Sequence, residues 1–292
     1  MRRGILLAGG GGTRLTPLTK VISKQLLPIY DKPMIYYPLS ILMLAEVREI
    51  LVITTPKDMT NVRTLLGDGN DLGLDLHYAA QPRPEGIAQA YQIGRDFVGA
   101  QPSVLVLGDN IFHGHGLVDM LERAAKRLDG ATIFACHVAD PQRYGIVSFD
   151  RNGHANAIEE KPEQPQSNYA VTGLYFYDAK AVEFADTIKP SARGELEITD
   201  INRLYLEAGQ LNVEMMNRGL TWLDAGTPQT LMDAALYVQI VEKRQSLKVC
   251  CPEEIAWRKG FITTDELAKL AARAGDSDYG NYLTRVLENA AT

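Results

Sequence analysis

The stretch Gly4-Ile5-Leu6-Leu7-Ala8-Gly9-Gly10-Gly11-Gly12-Thr13-Arg14-Leu15 joins an apolar run to four successive glycines and a basic residue. The apolar run predicts a buried strand, and glycines after such a strand let backbone N–H groups approach a phosphate closely. Lys24 adds a second cation soon afterwards. Because Arg14 and Lys24 can neutralise the charge of a triphosphate, the stretch predicts a phosphate-binding loop at the end of the first strand.

The loop fits neither of the two common phosphate-binding templates. A Walker A motif needs Lys and Ser/Thr after its last glycine, where this chain has Thr13 and Arg14. The dinucleotide fingerprint needs a third glycine at a position that Arg14 or Leu15 occupies here. The alternative is a flexible turn that binds nothing, but four successive glycines are costly in conformational entropy. We therefore expect a phosphate loop of another type.

The chain alternates apolar, β-branched runs with helical patterns. Expected strands cover residues 4–8, 49–54, 74–80, 103–107, 132–138, 145–149, 170–177, 211–216 and 221–223. Expected helices cover residues 34–45, 57–66, 87–97, 116–128, 179–187, 198–207 and 228–245. Continuous apolar strands of this kind are buried on both faces, so the first half predicts a mainly parallel sheet covered by helices.

After residue 139 the pattern becomes richer in strands, with turns over 150–153 and 161–166. It predicts a small antiparallel segment inserted beside the main sheet. From residue 246 onward, apolar residues such as Leu267, Leu270 and Ala274 recur at helical spacing and predict helices at the C-terminus. The fold class predicted is therefore α/β, with a mixed, mainly parallel central sheet.

Composition limits the class of protein. The 292 residues suffice for one large α/β domain with a small appendage, and 46% hydrophobic and 23% charged residues are ordinary for soluble proteins. The net charge of −6 argues against a nucleic-acid partner, because no basic stripe is available for a phosphate backbone. The three cysteines do not suggest a disulfide scaffold. Without a signal-peptide pattern or an apolar run of bilayer length, we expect a cytoplasmic protein with no membrane partner.

Two aspartates follow apolar runs at predicted strand ends. Asp109 comes after Val104-Leu105-Val106-Leu107-Gly108, and Asp224 comes after Trp222-Leu223. Ligands bind beyond the carboxyl ends of parallel strands, and Mg2+ takes one or two carboxylates together with substrate phosphates. Taken alone, each aspartate is better explained as a turn or helix-cap residue. Together with the glycine loop, Asp109 and Asp224 predict one Mg2+ site on a bound nucleotide.

A glutamine follows another predicted strand. Gln81 carries both a hydrogen-bond acceptor and donors, so it can read the edge of a base, and Gly86 leaves room for a flat group. The alternative is a rigid turn that binds nothing, which explains Pro82 and Pro84 equally well.

Charged residues farther along the chain are candidates for binding a sugar phosphate. Glu160 can bind sugar hydroxyls, and Lys161 and Arg193 can bind the phosphate. A solvated charge cluster is the alternative for Glu160 and Lys161, and helix capping or surface pairing is the alternative for Arg193. Gly173 interrupts a strong strand, which indicates either a bulge or the close approach of a ligand.

Long motifs make the chain similar to a known family. The segments L-A-G-G-x-G-T-R-L at 7–15 and S-K-Q-L-L-P-I-Y-D-K-P-M-I-Y-Y-P-L at 23–39 resemble the sugar-nucleotide pyrophosphorylases, in particular their bacterial thymidylyltransferases. Further matching segments lie at 107–110, 143–145, 159–162, 168–177, 193–200, 222–227 and 251–256. The resemblance extends over nearly the whole chain.

The resemblance implies a fold and a reaction. The fold is a Rossmann-like, three-layer α/β/α nucleotidyltransferase of the GT-A type. Residues 1–245 would form the nucleotidyltransferase domain, with a nucleotide-binding half over 1–138 and a sugar-binding part over 139–227. Residues 246–292 would form a helical appendage for oligomerisation or regulation. The reaction converts dTTP and α-D-glucose 1-phosphate to dTDP-glucose and pyrophosphate with Mg2+, as the first step towards dTDP-deoxysugars.

The resemblance also implies roles for individual residues. Catalysis would fall to Arg14, Lys24, Asp109, Lys161 and Asp224, with Asp109 and Asp224 binding Mg2+. The nucleotide would be bound by Gly9, Gly10, Gly12, Thr13, Arg14, Lys24, Gln25, Gln81, Gly86 and Asp109. The sugar phosphate would be bound by Asn110, Gly145, Glu160, Lys161, Gly173 and Arg193.

The family's usual assembly and regulation are further implications. A homotetramer is expected, with dTDP-L-rhamnose as feedback inhibitor at a second site that includes residues 114–116 and 251–258. Two alternatives stay open. One is a uridylyltransferase, because the methyl group that distinguishes thymine from uracil is worth only about 0.8 kcal/mol when buried. The other is a non-catalytic nucleotide-sugar sensor on the same fold.

Overall fold

The computed structural model describes residues 2–290. Within them the strands are β1 (Arg3–Ala8), β2 (Pro28–Ile29), β3 (Lys32–Pro33), β4 (Glu49–Thr54), β5 (Asp75–Ala80), β6 (Ser103–Leu107), β7 (Asn110–Gly114), β8 (Ala131–His137), β9 (Gly145–Phe149), β10 (Ala155–Glu160), β11 (Tyr169–Tyr177), β12 (Leu211–Met215) and β13 (Leu220–Asp224). The helices are α1 (Tyr36–Leu44), α2 (Met59–Leu66), α3 (Gln89–Ile93), α4 (Arg95–Val98), α5 (Leu117–Lys126), α6 (Lys180–Thr187), α7 (Ile198–Glu207), α8 (Pro228–Gln245), α9 (Pro252–Arg258), α10 (Thr264–Ala274) and α11 (Asp278–Ala290). Every helix among these residues is too short or too polar to cross a membrane.

The centre of the main sheet is parallel, in the order β5-β4-β1-β6. In register, Leu6 of β1 lies between Val52 of β4 and Val106 of β6. These three side chains belong to the core on one face of the sheet, whereas Ile5 and Leu105 belong to the core on the other face. The strands are continuously apolar because helices cover both faces.

The antiparallel strands expected beside the sheet are part of the sheet itself. β11 runs antiparallel to β6, β8 and β9, and β10 and β12 lie outside these strands. The mixed α/β sheet with helices on both faces confirms the predicted fold class. Pairing of β11 with β6 begins at Leu174, while its pairing with β9 is at Ala170, so Gly173 lies at an opening between β6 and β9.

The short strands β2 and β3, two further strands and one helix break differ from the expectation. β7 and β10 were not predicted, because Asn110–Gly114 and Ala155–Glu160 are too polar to give an apolar run. The helix expected over 87–97 is two helices, α3 and α4, separated at Gly94. A Cβ at Gly94 would lie 3.0 Å from the carbonyl oxygen of Ala90, so the close packing at this position favours glycine.

The C-terminal helices share a core with the sheet. Cys251, Leu267 and Leu283 belong to the same apolar cluster as Leu6 and Leu42, and α9 packs on α1. The helical pattern predicted after residue 246 is therefore present, and its apolar face covers the outer side of α1. The division of the chain at residue 245 stays a prediction.

Candidate active site

Two adjoining cavities lie at the carboxyl ends of the parallel strands. The first has a volume of about 310 Å³ and is lined by the glycine loop, by Gln81 and by Gly86. The second has a volume of about 460 Å³ and lies at the opening beside Gly173. Both cavities share Arg14 and Asp109 in their linings. We refer to them as the loop cavity and the opening cavity.

The glycine loop takes a conformation that requires glycine at one position. Gly12 has a φ of +58°, and the hydroxyl of Thr19 donates to its carbonyl oxygen at 2.8 Å. A short 3-10 turn at Thr13–Leu15 follows and directs Arg14 toward the opposite wall. There, an Nη atom of Arg14 lies 2.9 Å from where a Cβ of Gly226 would stand. Gly226 thus leaves the space that the guanidinium occupies between the two cavities.

Pairing of β7 with β13 brings the two predicted aspartates to one place. Asp224 lies opposite Asn110 in this two-stranded ribbon, and the N–H of Ala225 donates to the carbonyl oxygen of Asp109 at 3.1 Å. The sequence placed Asp109 and Asp224 at separate strand ends, and β7, which was not predicted, is the element that connects them. Both aspartates line the opening cavity.

The two carboxylates have different partners. Asp109 forms an ion pair with the buried Lys24, and the amide of Asn110 donates to it at 2.8 Å. Burial alone would raise the pKa of Asp109, but Lys24 and Asn110 hold it below its usual range. Asp224 binds Arg143 at 3.2 Å and the hydroxyl of Tyr144 at 3.1 Å.

Burial has the larger effect on Asp224. It raises the pKa of the carboxyl above its usual value, against the opposing effects of Arg143 and Tyr144, and the nearby charge of Asp109 adds to the rise. Two carboxylates whose charges disfavour each other share one wall, and an added cation would relieve this repulsion. Within residues 2–290, no group of three or more His, Cys, Asp or Glu side chains is placed to hold a metal ion.

The opening cavity has a rigid polar floor. The side-chain oxygen of Asn110 accepts from the N–H of Gly173 at 2.9 Å and from the indole N–H of Trp222 at 2.6 Å. A Cβ on Gly173 would lie 2.6 Å from that oxygen, so only glycine permits this contact. The interruption that the sequence showed at Gly173 is therefore a close approach between β11 and β7.

Charged residues form the rim of the opening cavity. Glu160 accepts from the hydroxyl of Thr199 at 2.6 Å, and Lys161 lies 3.7 Å from the same carboxylate. Arg193 contacts Glu160 at 3.4 Å and also pairs with Glu195. Two cations and one hydroxyl thus surround Glu160, and Lys161 lies at the edge of the cavity.

The structure brings nearly all the predicted residues to these two cavities. The loop cavity is lined by Gly10, Gly12, Thr13, Arg14, Lys24, Gln25, Gln81, Gly86 and Asp109. The opening cavity is lined by Arg14, Asp109, Asn110, Gly145, Glu160, Lys161, Gly173 and Asp224. Of the predicted residues in the described part of the chain, Gly9 and Arg193 are in neither lining. Gly9 lies against Gln81, and Arg193 contacts Glu160.

Sequence reasoning missed several lining residues. Arg143, Tyr144, Thr199 and Trp222 were not assigned a role, yet all four line the opening cavity. The available signal was Arg143-Tyr144-Gly145, a basic and an aromatic residue directly before β9. The ring of Tyr144 packs edge-on against Trp222, with centroids 5.1 Å apart. These aromatic groups provide an apolar wall beside the polar floor.

Gly9→Ala tests the contact behind the loop cavity. A Cβ at residue 9 would lie 1.9 Å from the side-chain oxygen of Gln81, so the glutamine must move while the backbone stays permitted. We expect the KM for the nucleotide to rise by roughly tenfold, as expected for one displaced hydrogen-bonding group, with little change in the KM for the sugar phosphate. Steady-state kinetics with each substrate varied would check this, and Gly11→Ala, where a Cβ meets only the methyl group of Thr13 at 4.0 Å, is the control. Equal effects of both variants would contradict the contact.

Curated relatives match nearly the whole chain. The family model described as Nucleotidyl transferase matches residues 3–240. The chain is 59% identical over 290 residues to the glucose-1-phosphate thymidylyltransferase of Xanthomonas campestris pv. campestris (strain B100), covering 99% of this chain and 98% of that protein. It is 56% identical over 286 residues to the enzyme of the same name from Mycolicibacterium smegmatis, covering 98% and 99%, respectively.

Solved structures share the fold of this chain. A Bacillus anthracis protein, assigned as a glucose-1-phosphate thymidylyltransferase and crystallised with sucrose, superposes with a TM-score of 0.75 at 42% identity, covering 81% of this chain and 95% of that one. A UDP-glucose pyrophosphorylase in complex with UDP-glucose shares the fold, with a TM-score of 0.72 at 23% identity, covering 82% and 99%. The chain belongs to the nucleotidyl transferase family and, within it, to the glucose-1-phosphate thymidylyltransferases.

Proposed function

We propose that the chain converts dTTP and α-D-glucose 1-phosphate to dTDP-glucose and pyrophosphate. The observation that carries this proposal is the junction of the two cavities at Arg14 and Asp109. A nucleoside triphosphate in the loop cavity and a sugar phosphate in the opening cavity would meet at this junction. The relatives described above carry the name of this activity.

The reaction is an in-line displacement at the α-phosphorus. A phosphate oxygen of glucose 1-phosphate forms the new P–O bond as the bond to pyrophosphate breaks, and the electron pair leaves with pyrophosphate. Arg14 and Lys24 lie at the glycine loop, where they would bind the departing pyrophosphate and take up its charge. Lys161 would hold the attacking phosphate from the other side. Positioning and charge neutralisation suffice, so no side chain needs to act as a nucleophile.

Mg2+ is the cofactor that fits the donor set. Asp109 and Asp224 offer hard oxygen ligands on one wall, and their mutual repulsion favours a cation between them. The two carboxylates would hold Mg2+, and substrate phosphates and water would complete its shell. When bound, Mg2+ supplies charge neutralisation and orientation for the nucleotide phosphates.

Assembly and regulation extend the same proposal. We propose a homotetramer in the cytoplasm, with the product feeding dTDP-deoxysugar synthesis. The outer face of α8 exposes Met232, Leu236 and Ile240 at helical spacing, which suits contact with a second copy. Residues 114–116 and 251–258 would take part in a second site for dTDP-L-rhamnose as feedback inhibitor.

The direct test is pyrophosphate release from the purified chain. We expect release to require dTTP, glucose 1-phosphate and Mg2+ together, and to stop when EDTA removes the metal. Comparing kcat/KM for dTTP and UTP measures the preference between a thymidylyltransferase and a uridylyltransferase. Tight binding of dTDP-glucose without any release of pyrophosphate would replace the proposal by a non-catalytic sensor.

A further inference from the structure

A chain of hydrogen bonds runs from the surface to the wall of the loop cavity. The side-chain nitrogen of Gln81 donates to the side-chain oxygen of Gln89 at 2.6 Å. The side-chain nitrogen of Gln89 donates to the carboxylate of Glu85 at 2.8 Å. Gln81 and Gln89 are 3% and 8% exposed, so neither amide can exchange these bonds freely for water.

The direction of every bond in this chain is fixed by chemistry. The backbone N–H of Glu85 donates to the oxygen of Gln89 at 3.2 Å, and a backbone N–H can only donate. An ionised carboxylate can only accept, so Glu85 requires the nitrogen of Gln89 on its side. Gln89 must therefore present its oxygen to Gln81, and Gln81 must present its nitrogen to Gln89.

The consequence is that Gln81 offers an acceptor at the cavity. Its oxygen lies against Gly9, 1.9 Å from where a Cβ would stand, and Gln81 lines the loop cavity. Among residues 2–290, the hydrogen bond found for the side chain of Gln81 uses its nitrogen, which donates to Gln89, and none is found for its oxygen. A bound group that carries an N–H could donate a hydrogen bond to the side-chain oxygen of Gln81.

We propose that Gln89 and Glu85 are positioning residues that select the base by holding the oxygen of Gln81 toward it. Thymine and uracil carry an imino N3–H and can donate to this oxygen. Cytosine carries a lone pair at N3, which would face the oxygen of Gln81 and leave both acceptors without a proton. The proposal rests on the proposed function, because it takes the loop cavity as the nucleotide site.

Gln89→Leu removes the amide that sets the orientation of Gln81 and keeps the approximate length of the side chain at position 89. We expect the wild-type enzyme to prefer dTTP to dCTP by on the order of 100-fold in kcat/KM, and Gln89→Leu to reduce this preference by at least about tenfold. The loss should come mainly from the KM for dTTP. The ratio is measured within one preparation, so it does not depend on how much of the variant is folded.

Comparison with dUTP separates orientation from general damage. Thymine and uracil present the same N3–H, so the ratio of kcat/KM for dTTP to that for dUTP should stay the same in Gln89→Leu. The KM for glucose 1-phosphate should also stay unchanged, because the side chain of Gln89 bonds to Gln81 and Glu85 and does not line the opening cavity. A merely structural role for Gln89 would lower turnover with all nucleotides alike.

The double variant Glu85→Gln with Gln89→Glu exchanges the carboxylate and the amide between positions 85 and 89. The carboxylate at 89 can accept from Gln81 and from the backbone N–H of residue 85, and the amide at 85 can donate to it. Gln81 keeps its orientation, so we expect discrimination against dCTP to be restored. The single variant Gln89→Glu, which places two carboxylates next to each other, serves as the matched comparison.

Two results would overturn the proposal. One is a Gln89→Leu variant whose preference for dTTP over dCTP stays within about twofold of the wild type. Such a change is smaller than the loss of one hydrogen bond would produce. The other is a folded double variant that discriminates no better than Gln89→Leu. Calorimetric binding of dTTP and dCTP repeats the test without turnover. A wild-type chain that binds dTTP selectively but releases no pyrophosphate would refute the proposed function and leave the role of Gln89 standing.

Discussion

Asp224→Asn should lower pyrophosphate release from dTTP and glucose 1-phosphate on the order of 100-fold, because one carboxylate ligand is lost with almost no change in shape. The Mg2+ concentration needed for half-maximal rate should rise in the same variant. Arg143 is more than a third exposed, so the loss of its partner should leave stability nearly unchanged. Initial rates over a Mg2+ titration, together with urea unfolding, would measure both effects.

Asp109→Asn should have the same kinetic effect and an additional cost in stability. Its partner Lys24 is 6% exposed, so the substitution leaves a buried ammonium without its counter-charge, at a cost of about 3–5 kcal/mol in the free energy of unfolding. Asp71→Asn is the control, since Asp71 pairs with Arg273 on the surface and should change neither property. Near-normal rates in Asp109→Asn and Asp224→Asn would remove both aspartates from the mechanism.

Gly86→Ala should destabilise the fold and weaken nucleotide binding together. Gly86 has a φ of +111°, and a Cβ there would lie 2.3 Å from the carbonyl oxygen and 2.4 Å from the nitrogen of Leu196. The obstacle is backbone, which cannot rotate away as a side chain can. The same backbone bonds Glu85 and Ala88, so the wall between Gln81 and α3 must shift. We expect a loss of about 3–5 kcal/mol in the free energy of unfolding and a higher KM for dTTP.

Gly153→Ala separates the clash from the strain of a positive φ. Gly153 has a φ of +83° in an exposed turn, and a Cβ there would meet nothing within 4 Å. Its expected cost is therefore only about 1 kcal/mol, with normal kinetics. Urea unfolding of both variants under one set of conditions gives the comparison. If Gly86→Ala lost no more stability than Gly153→Ala, the close packing against Leu196 would not be rigid.

The sequence predicted the site best where a residue pattern has few structural explanations. Four glycines after an apolar strand predicted the anion loop, and the strand-end rule predicted the places of Gln81, Asp109 and Asp224. All three residues line the cavities. What brings Asp224 to Asp109 is β7, and its sequence is too mixed to signal a strand without its partner β13.

Residues that act by positioning other residues could not be identified from the sequence. Gln89 lies within α3 and gives no signal there, because its value depends on the backbone N–H of Glu85 and on the amide of Gln81. Tyr144 was not assigned a role for a similar reason, because its hydroxyl can donate to Asp224 only once folding brings the two residues together. Long-range hydrogen bonds of this kind have no periodicity that a pattern can detect.

The two cavities touch at few residues, and this has a consequence for how the enzyme can change. Gln81 and Gly86 belong to the loop cavity, whereas Glu160 and Gly173 belong to the opening cavity. Neither pair lines the other cavity, so the effects of substitutions at these two pairs on selectivity should add. Evolution or design can therefore exchange the sugar that is accepted while the base that is accepted stays the same. The residues that must serve both choices are the shared ones, namely Arg14, Ile87, Leu107, Asp109 and Glu195.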